Sequence, residues 1–163
     1  IPQESAEGHY LIGQSFLLMG EYGDARDHFL QGMKHELFRY SSRLGIAQIY
    51  FSQGERIRAL QVLIEVLVSA KQGHVKSEAA TLFQQISPFK SVLYVTTEPE
   101  GAQLTVNGKE VSQATPLILH DLMVGTYRLQ FSLPGYQGQD MKIDLGVSEF
   151  KPILKKLKIV RER

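Results

Sequence analysis

The chain has 163 residues, a formal net charge of +1 and no cysteine. The missing cysteine excludes a disulfide framework, a thiolate metal site and a cysteine nucleophile, while leaving the compartment open. Near-neutral charge argues against a nucleic-acid surface, which is usually strongly basic, and at this length folding buries roughly 70% of the unfolded surface, enough for one medium domain or two small ones.

No apolar run approaches the roughly 18 residues that a membrane span needs, and no signal peptide is visible. The chain opens at Ile1 without an initiator methionine, which reads as the start of an excised piece.

From the first residues the apolar positions recur at helical spacing, and the pattern repeats. Residues 6–39 laid over 40–73 match at a shift of 34: Ile12 over Ile46, Gly13 over Ala47, Phe16 over Tyr50, Gly20 over Gly54, Ala25 over Ala59 and Phe29 over Leu63. The periodicity breaks at Met19-Gly20-Glu21 and Gln53-Gly54-Glu55, where a helix should stop, so each unit reads as a helical hairpin. Gly13, Ala47, Ala25 and Ala59 are small because helices approach closely there, and the aromatic and aliphatic partners fill the space between.

These positions resemble the tetratricopeptide repeat, whose pattern of small and aromatic residues over 34 positions appears in both units. The usual Trp position holds His9 and Arg43, and the repeat-ending Pro is absent. A further helix, residues 74–86, with Val75, Ala79, Leu82, Phe83 and Ile86 as its stripe, reads as a cap. Two repeats and a cap are short for a solenoid, so either further repeats before Ile1 or closure by the second domain is expected.

Ser87-Pro88-Phe89-Lys90 ends the helical region, because Pro88 lacks an amide donor and disfavours helical backbone before it. The expected division is 1–87 helical repeats, 88–90 linker and 91–163 β domain. From Ser91 the period is 2. "SVLYVTT" is β-rich, and "AQLTV" runs into Asn107-Gly108, a strong hairpin signal because both turn positions need positive φ. In "GTYRLQFSL", Tyr127, Leu129, Phe131 and Leu133 alternate with Thr126, Arg128, Gln130 and Ser132, one face buried and one wet. "MKIDLG" repeats this with Met141, Ile143 and Leu145, and "ILKKLKIV" supplies the closing strand. Lys151, Lys155, Lys156 and Lys158 read as that strand's solvated face. Several short strands with turn signals between them imply a β-sandwich.

Five ordered landmarks, Pro99-Glu100-Gly101-Ala102, Asn107-Gly108, Thr115-Pro116, Gly125 with Tyr127, and Gly135-Tyr136, resemble the PEGA domain over residues 91–160. The resemblance implies an immunoglobulin-like or prealbumin-like sandwich found mostly in envelope or surface proteins of bacteria and archaea, with no catalytic residues to carry over. The residues themselves point to a turn: Pro99 ends a strand, Glu100 is exposed, Gly101 takes an angle a side chain would forbid, and Ala102 lets the next strand start close by. Tyr136 reads as a corner aromatic with a bonded hydroxyl.

No catalytic constellation is found, so no enzyme, cofactor or metal is expected. His9, His28, His35, His74 and His120 lack ligand spacing, since His35-Glu36 has no second His four residues on from the first. Asp24 and His28, one turn apart, read as a solvent-facing pair. Gly13-Gln14-Ser15 lacks the second glycine of a nucleophile elbow.

In a tetratricopeptide stack the first helix of each repeat lines a groove. The resemblance places Tyr10, Gln14, Leu17, Leu44, Gln48, Phe51, Glu78 and Leu82 in that row. Repeats that grip a carboxylate chain terminus carry Lys and Asn there, which this row lacks. An amide and apolar row suits an extended or helical peptide. The expected function is a non-enzymatic scaffold of a bacterial cell envelope, periplasmic or at the surface, binding another protein through the helices. A carbohydrate or cell-wall polymer bound by the sandwich through Tyr94, Tyr127, Tyr136 or loop residues is the alternative, and a cytoplasmic adaptor a third reading.

Overall fold

The computed structural model describes residues 1–161. They form two compact units, Ile1–Ile86 and a second that starts at Ser87. The first contains helices α1 (Gln3–Met19), α2 (Tyr22–Gly32), α3 (Arg39–Ser52), α4 (Arg56–Ser69) and α5 (Gly73–Ile86), with a single 3-10 turn at Glu36–Phe38.

α1 pairs with α2 and α3 with α4, and α3 also touches α1, α2 and α5. The two helical hairpins close in the same way, 34 residues apart. Gly20 and Gly54 sit at φ 77° and 78°. The amide of Gly20 donates to the Leu17 carbonyl at 3.1 Å and that of Glu21 to Phe16 at 2.9 Å; Gly54 and Glu55 repeat this on Phe51 and Tyr50 at 3.0 and 2.8 Å. Glycine is required at this left-handed position, and the bond pair satisfies carbonyls that the helix end leaves open.

Between the hairpins lies Phe29, fully buried. A Cβ built on Gly13 of α1 would stand 2.8 Å from the ring's Cδ1, and one on Gly45 of α3 would stand 2.6 Å from Cε2. The ring therefore fills a slot that exists only because both neighbours lack side chains. Gly13 follows from the repeat; Gly45 is a second close approach that the 34-residue shift does not show, because its counterpart is Leu11. Ala25, Ala47 and Ala59 are fully buried as well.

At the two positions where the repeat pattern has Trp, polar pairs join the helices of each hairpin instead. His9 Nδ1 lies 2.9 Å from His28 Nδ1, and Arg43 bonds Glu65 at 2.5 Å. His28 thus faces α1, correcting its expected pairing with Asp24 toward solvent: the ring is half-buried, and Phe16 stacks on it with centroids 5.6 Å apart.

Among the described residues the second unit has seven strands: β1 (Ser91–Glu98), β2 (Gln103–Val106), β3 (Lys109–Ala114), β4 (Leu117–Leu122), β5 (Gly125–Ser132), β6 (Gln139–Leu145) and β7 (Phe150–Lys156). They form two sheets, ordered β4-β1-β7 and β3-β2-β5-β6. Leu93, Val95, Leu117 and Ile153 from the first pack against Leu104, Leu129, Phe131, Ile143 and Leu145 from the second, giving a sandwich core. Asn107 and Gly108 take φ 48° and 82° in the β2–β3 turn, as their hairpin chemistry requires.

The closing strand begins earlier than "ILKKLKIV" implies. β7 runs parallel to β1 from Val92↔Phe150 to Glu98↔Lys156, and it tolerates Pro152 because it is a sheet edge, where a missing donor costs no ladder bond. This register gives Lys151 and Lys155 the parity of buried Ile153 and turns Leu154, 55% exposed, outward. The lysines are therefore not one solvated face. Lys151 Nζ instead donates to the Asp144 carbonyl at 2.8 Å.

Gly45→Ala forces a methyl into the Phe29 ring and is expected to cost about 1–3 kcal/mol, the usual range for overpacking. Gly23→Ala, whose added Cβ meets nothing within 4 Å, should instead be neutral or stabilising. Thermal unfolding followed by far-UV circular dichroism checks the contrast; equal midpoints for the two variants would contradict the slot.

Candidate functional site

The eight residues of the expected row lie on three helices. α1 carries Tyr10, Gln14 and Leu17; α3 carries Leu44, Gln48 and Phe51; α5 carries Glu78 and Leu82. Gln14 Nε2 donates to the Tyr10 hydroxyl at 3.0 Å, and the Tyr10 ring lies 6.2 Å from Phe29 and 5.9 Å from Phe38. Tyr10 and Leu17 are half-buried against the Phe29 cluster.

Leu44 and Leu82 are 2% and 4% exposed, so they supply core and a partner would not meet them. α3 is the middle helix, flanked by α1, α2 and α5, and more of its circumference is covered than its own periodicity reveals. The accessible members are half-buried Gln14, Gln48 and Phe51, exposed Glu78, and the outer edges of Tyr10 and Leu17.

The chemistry available here is recognition. Two primary amides can pair with a peptide's carbonyls and amides, and Phe51 and Leu17 offer apolar contact. A separate cavity of about 380 Å³ opens where the start of α3 meets the α4–α5 connection, lined by Glu36, Leu37, Arg39, Tyr40, Ser69, Lys71 and Gln72. Nothing in the sequence pattern marks it, because its residues come from two stretches about 30 positions apart. Its cations Arg39 and Lys71 are offset by Glu36, and Gln72 is already bonded to the Leu37 carbonyl at 3.1 Å.

His35 and His120 have local partners. His35 Nδ1 accepts from the Leu37 amide at 3.2 Å, and His120 bonds Asp121 at 2.8 Å. Among the described residues no three of His, Cys, Asp and Glu gather around one point where an ion would sit.

In the second unit, the Pro99–Ala102 string is held by a relay of hydroxyls. The Ala102 amide donates to Thr115 Oγ1 at 3.0 Å. The two threonine hydroxyls, Thr115 and Thr97, are 2.5 Å apart, and Thr97 donates to the Pro99 carbonyl at 2.8 Å. Two main-chain bonds, Gly101 to the Thr115 carbonyl and Thr115 to the Ala102 carbonyl, both 2.9 Å, close the ring. Since each hydroxyl has one proton, Thr115 must give its own to Thr97, and the relay runs one way. Ala102 is fully buried, Glu100 is exposed, and Gly101 has φ 93°. The string is a fastened turn: the Pro99 carbonyl, the Gly101 amide and both main-chain groups of Ala102 are bonded within the protein.

The candidate sugar platforms do not come together. Tyr94 lies on β1 in one sheet, while Tyr127 lies on β5 in the other and packs toward the core, donating its hydroxyl to the Met123 carbonyl at 2.8 Å. Tyr136 follows the far end of β5, where main-chain bonds hold the corner: its amide to Leu133 at 3.0 Å and Gln137 to Lys158 at 2.8 Å. On the outer face of β5 and β6, Arg128 hydrogen-bonds Asp140 and holds that carboxyl below the usual carboxylate range. The pair is exposed, so its effect on stability is small.

Residues 90–159 match the PEGA domain family. No curated protein matches the chain. The match covers the sandwich and includes the fastened turn.

Replacing Thr115 with Val preserves shape but removes the relay and leaves the buried Ala102 amide with one acceptor fewer. The expected cost is about 1–3 kcal/mol, read as a lower denaturant midpoint, whereas Thr115→Ser should retain most of the stability. A Val variant as stable as the parent would contradict the relay.

Proposed function

We propose that the chain is a non-enzymatic protein-binding module of a bacterial cell envelope. Its tetratricopeptide-like helices hold a segment of a partner protein, and its PEGA-type sandwich, of immunoglobulin-like or prealbumin-like build, docks or spaces the assembly at the periplasmic or outer surface. The PEGA match supports the sandwich's part and the envelope setting. No helix among the described residues is long and apolar enough to cross a membrane.

The observation that carries the binding role is the strip of Gln14, Gln48 and Phe51, half-buried side chains with accessible edges on the touching helices α1 and α3. Amide groups beside an aromatic ring leave backbone-bonding capacity and apolar area facing outward together. That combination fits a peptide segment better than it fits a small polar molecule or a catalytic transition state. The dispersed tyrosines and the internally bonded turn of the sandwich weigh against a polymer-binding face there.

Gln48→Ala with Phe51→Ala should abolish partner capture from a periplasmic extract and leave the thermal midpoint within a few degrees of the parent. A photoreactive residue at position 48 should crosslink the same partner. Full capture by the double variant, or crosslinking only from positions on the sandwich, would overturn the assignment.

A further inference from the structure

The cavity between the start of α3 and the α4–α5 connection is lined by groups that the protein itself leaves unused. Glu36 and Arg39 come from one stretch and Lys71 from the other, yet among the described residues the side chain of none of the three is in an ion pair. Opposite charges share one cavity without closing on each other. The hydroxyls of Tyr40 and Ser69 are also unpartnered among the described residues. Gln72 spends an amide proton on the Leu37 carbonyl at 3.1 Å and keeps its own side-chain oxygen free.

The cavity is built before any ligand arrives. Its 3-10 turn is held by the Leu37 amide donating to His35 Nδ1 at 3.2 Å and by the Phe38 ring, 5.9 Å from Tyr10 and 6.3 Å from His35. The bond from Gln72 to Leu37 ties the two stretches together. Both are internal to the helical unit, with α1 and α2 before them and α5 after. The repeat itself does not call for these side chains: the positions 34 residues before Glu36, Arg39, Tyr40 and Lys71 are Pro2, Ser5, Ala6 and Leu37. None of those is charged.

We infer that the cavity binds a short zwitterionic peptide, a dipeptide with both ends free. Its volume of about 380 Å³ falls within the roughly 300–1,000 Å³ of small-molecule sites. Arg39 and Lys71 suit a carboxylate, and Glu36 suits an ammonium group. A simple anion would leave Glu36 facing it, and a simple cation would face Arg39 and Lys71; only a ligand with both charges uses all three. The Tyr40 and Ser69 hydroxyls and the Gln72 oxygen can meet the N–H and C=O of a peptide bond lying between the charged ends, a group that a free amino acid lacks. Leu37, 45% exposed, offers apolar contact to a ligand side chain. The site shares no residue with the strip of Gln14, Gln48 and Phe51, so it does not rest on that reading.

Isothermal titration of the 163-residue chain with alanyl-alanine should show saturable binding at one site. The N-acetylated and the C-amidated dipeptide should each bind roughly tenfold or more weakly, as loss of a hydrogen bond to a charged group implies, and free alanine should also bind more weakly. Glu36→Gln should make the free and N-acetylated forms bind alike, whereas Arg39→Gln with Lys71→Gln should make the free and amidated forms bind alike. All three residues are exposed, so these variants should keep the parent's thermal midpoint, and Gln48→Ala with Phe51→Ala should leave dipeptide binding intact. No saturable binding, capped dipeptides that bind as tightly as the free one, or charge variants that keep the parent's preference between capped and free forms would overturn the proposal.

Discussion

The helical unit depends on one ring wedged between two glycines. Phe29 reaches from α2 to α1 at Gly13 and to α3 at Gly45, and it is completely buried. Burial of such a side chain is worth about 1.5–3 kcal/mol in transfer terms, but its larger effect is geometric. A ring that touches the backbone of two helices fixes their spacing to that of a phenyl group, and with it which side chains of α1 and α3 stay outside. Tyr10 packs near the same ring, so the accessible strip of Gln14, Gln48 and Phe51 inherits its position from the slot.

The sandwich is fastened by different means. Its core is mainly aliphatic, and the Pro99–Ala102 turn is tied down by the hydroxyls of two threonines that are 1% and 3% exposed. Groups consumed in holding a turn cannot also bind a ligand. This is the physical reason for proposing recognition by the helices and a docking or spacing role for the sandwich, and it agrees with turn chemistry in which Glu100 faces water and Ala102 is buried.

Much of this was legible beforehand, and the failures share a cause. The 34-residue shift located Gly20, Gly54, Ala25 and Ala59, because helix ends and close crossings leave residue-specific marks. The Asn107-Gly108 turn and the role of Gly101 were readable because positive φ selects for those residues. The periodicity places Leu44 and Leu82 in the groove although both are buried, does not mark Gly45, and pairs His28 with Asp24 instead of with His9 across the hairpin. Each of these depends on what a neighbouring helix covers, which one helix's periodicity does not encode. The start of β7 was missed for a similar reason: Pro152 argues against a strand unless the strand is known to be an edge, and edges are a property of the sheet.

The central claim is that Phe29 occupies a slot shared by Gly13 and Gly45 and thereby sets the binding strip. Nuclear Overhauser contacts measured from the Phe29 ring protons of the isotope-labelled chain test it most directly. Strong cross-peaks to the Hα protons of both glycines are predicted. Cross-peaks to Gly13 alone, or to neither, would contradict the account, since α3 and its Gln48 and Phe51 would then be held by something else.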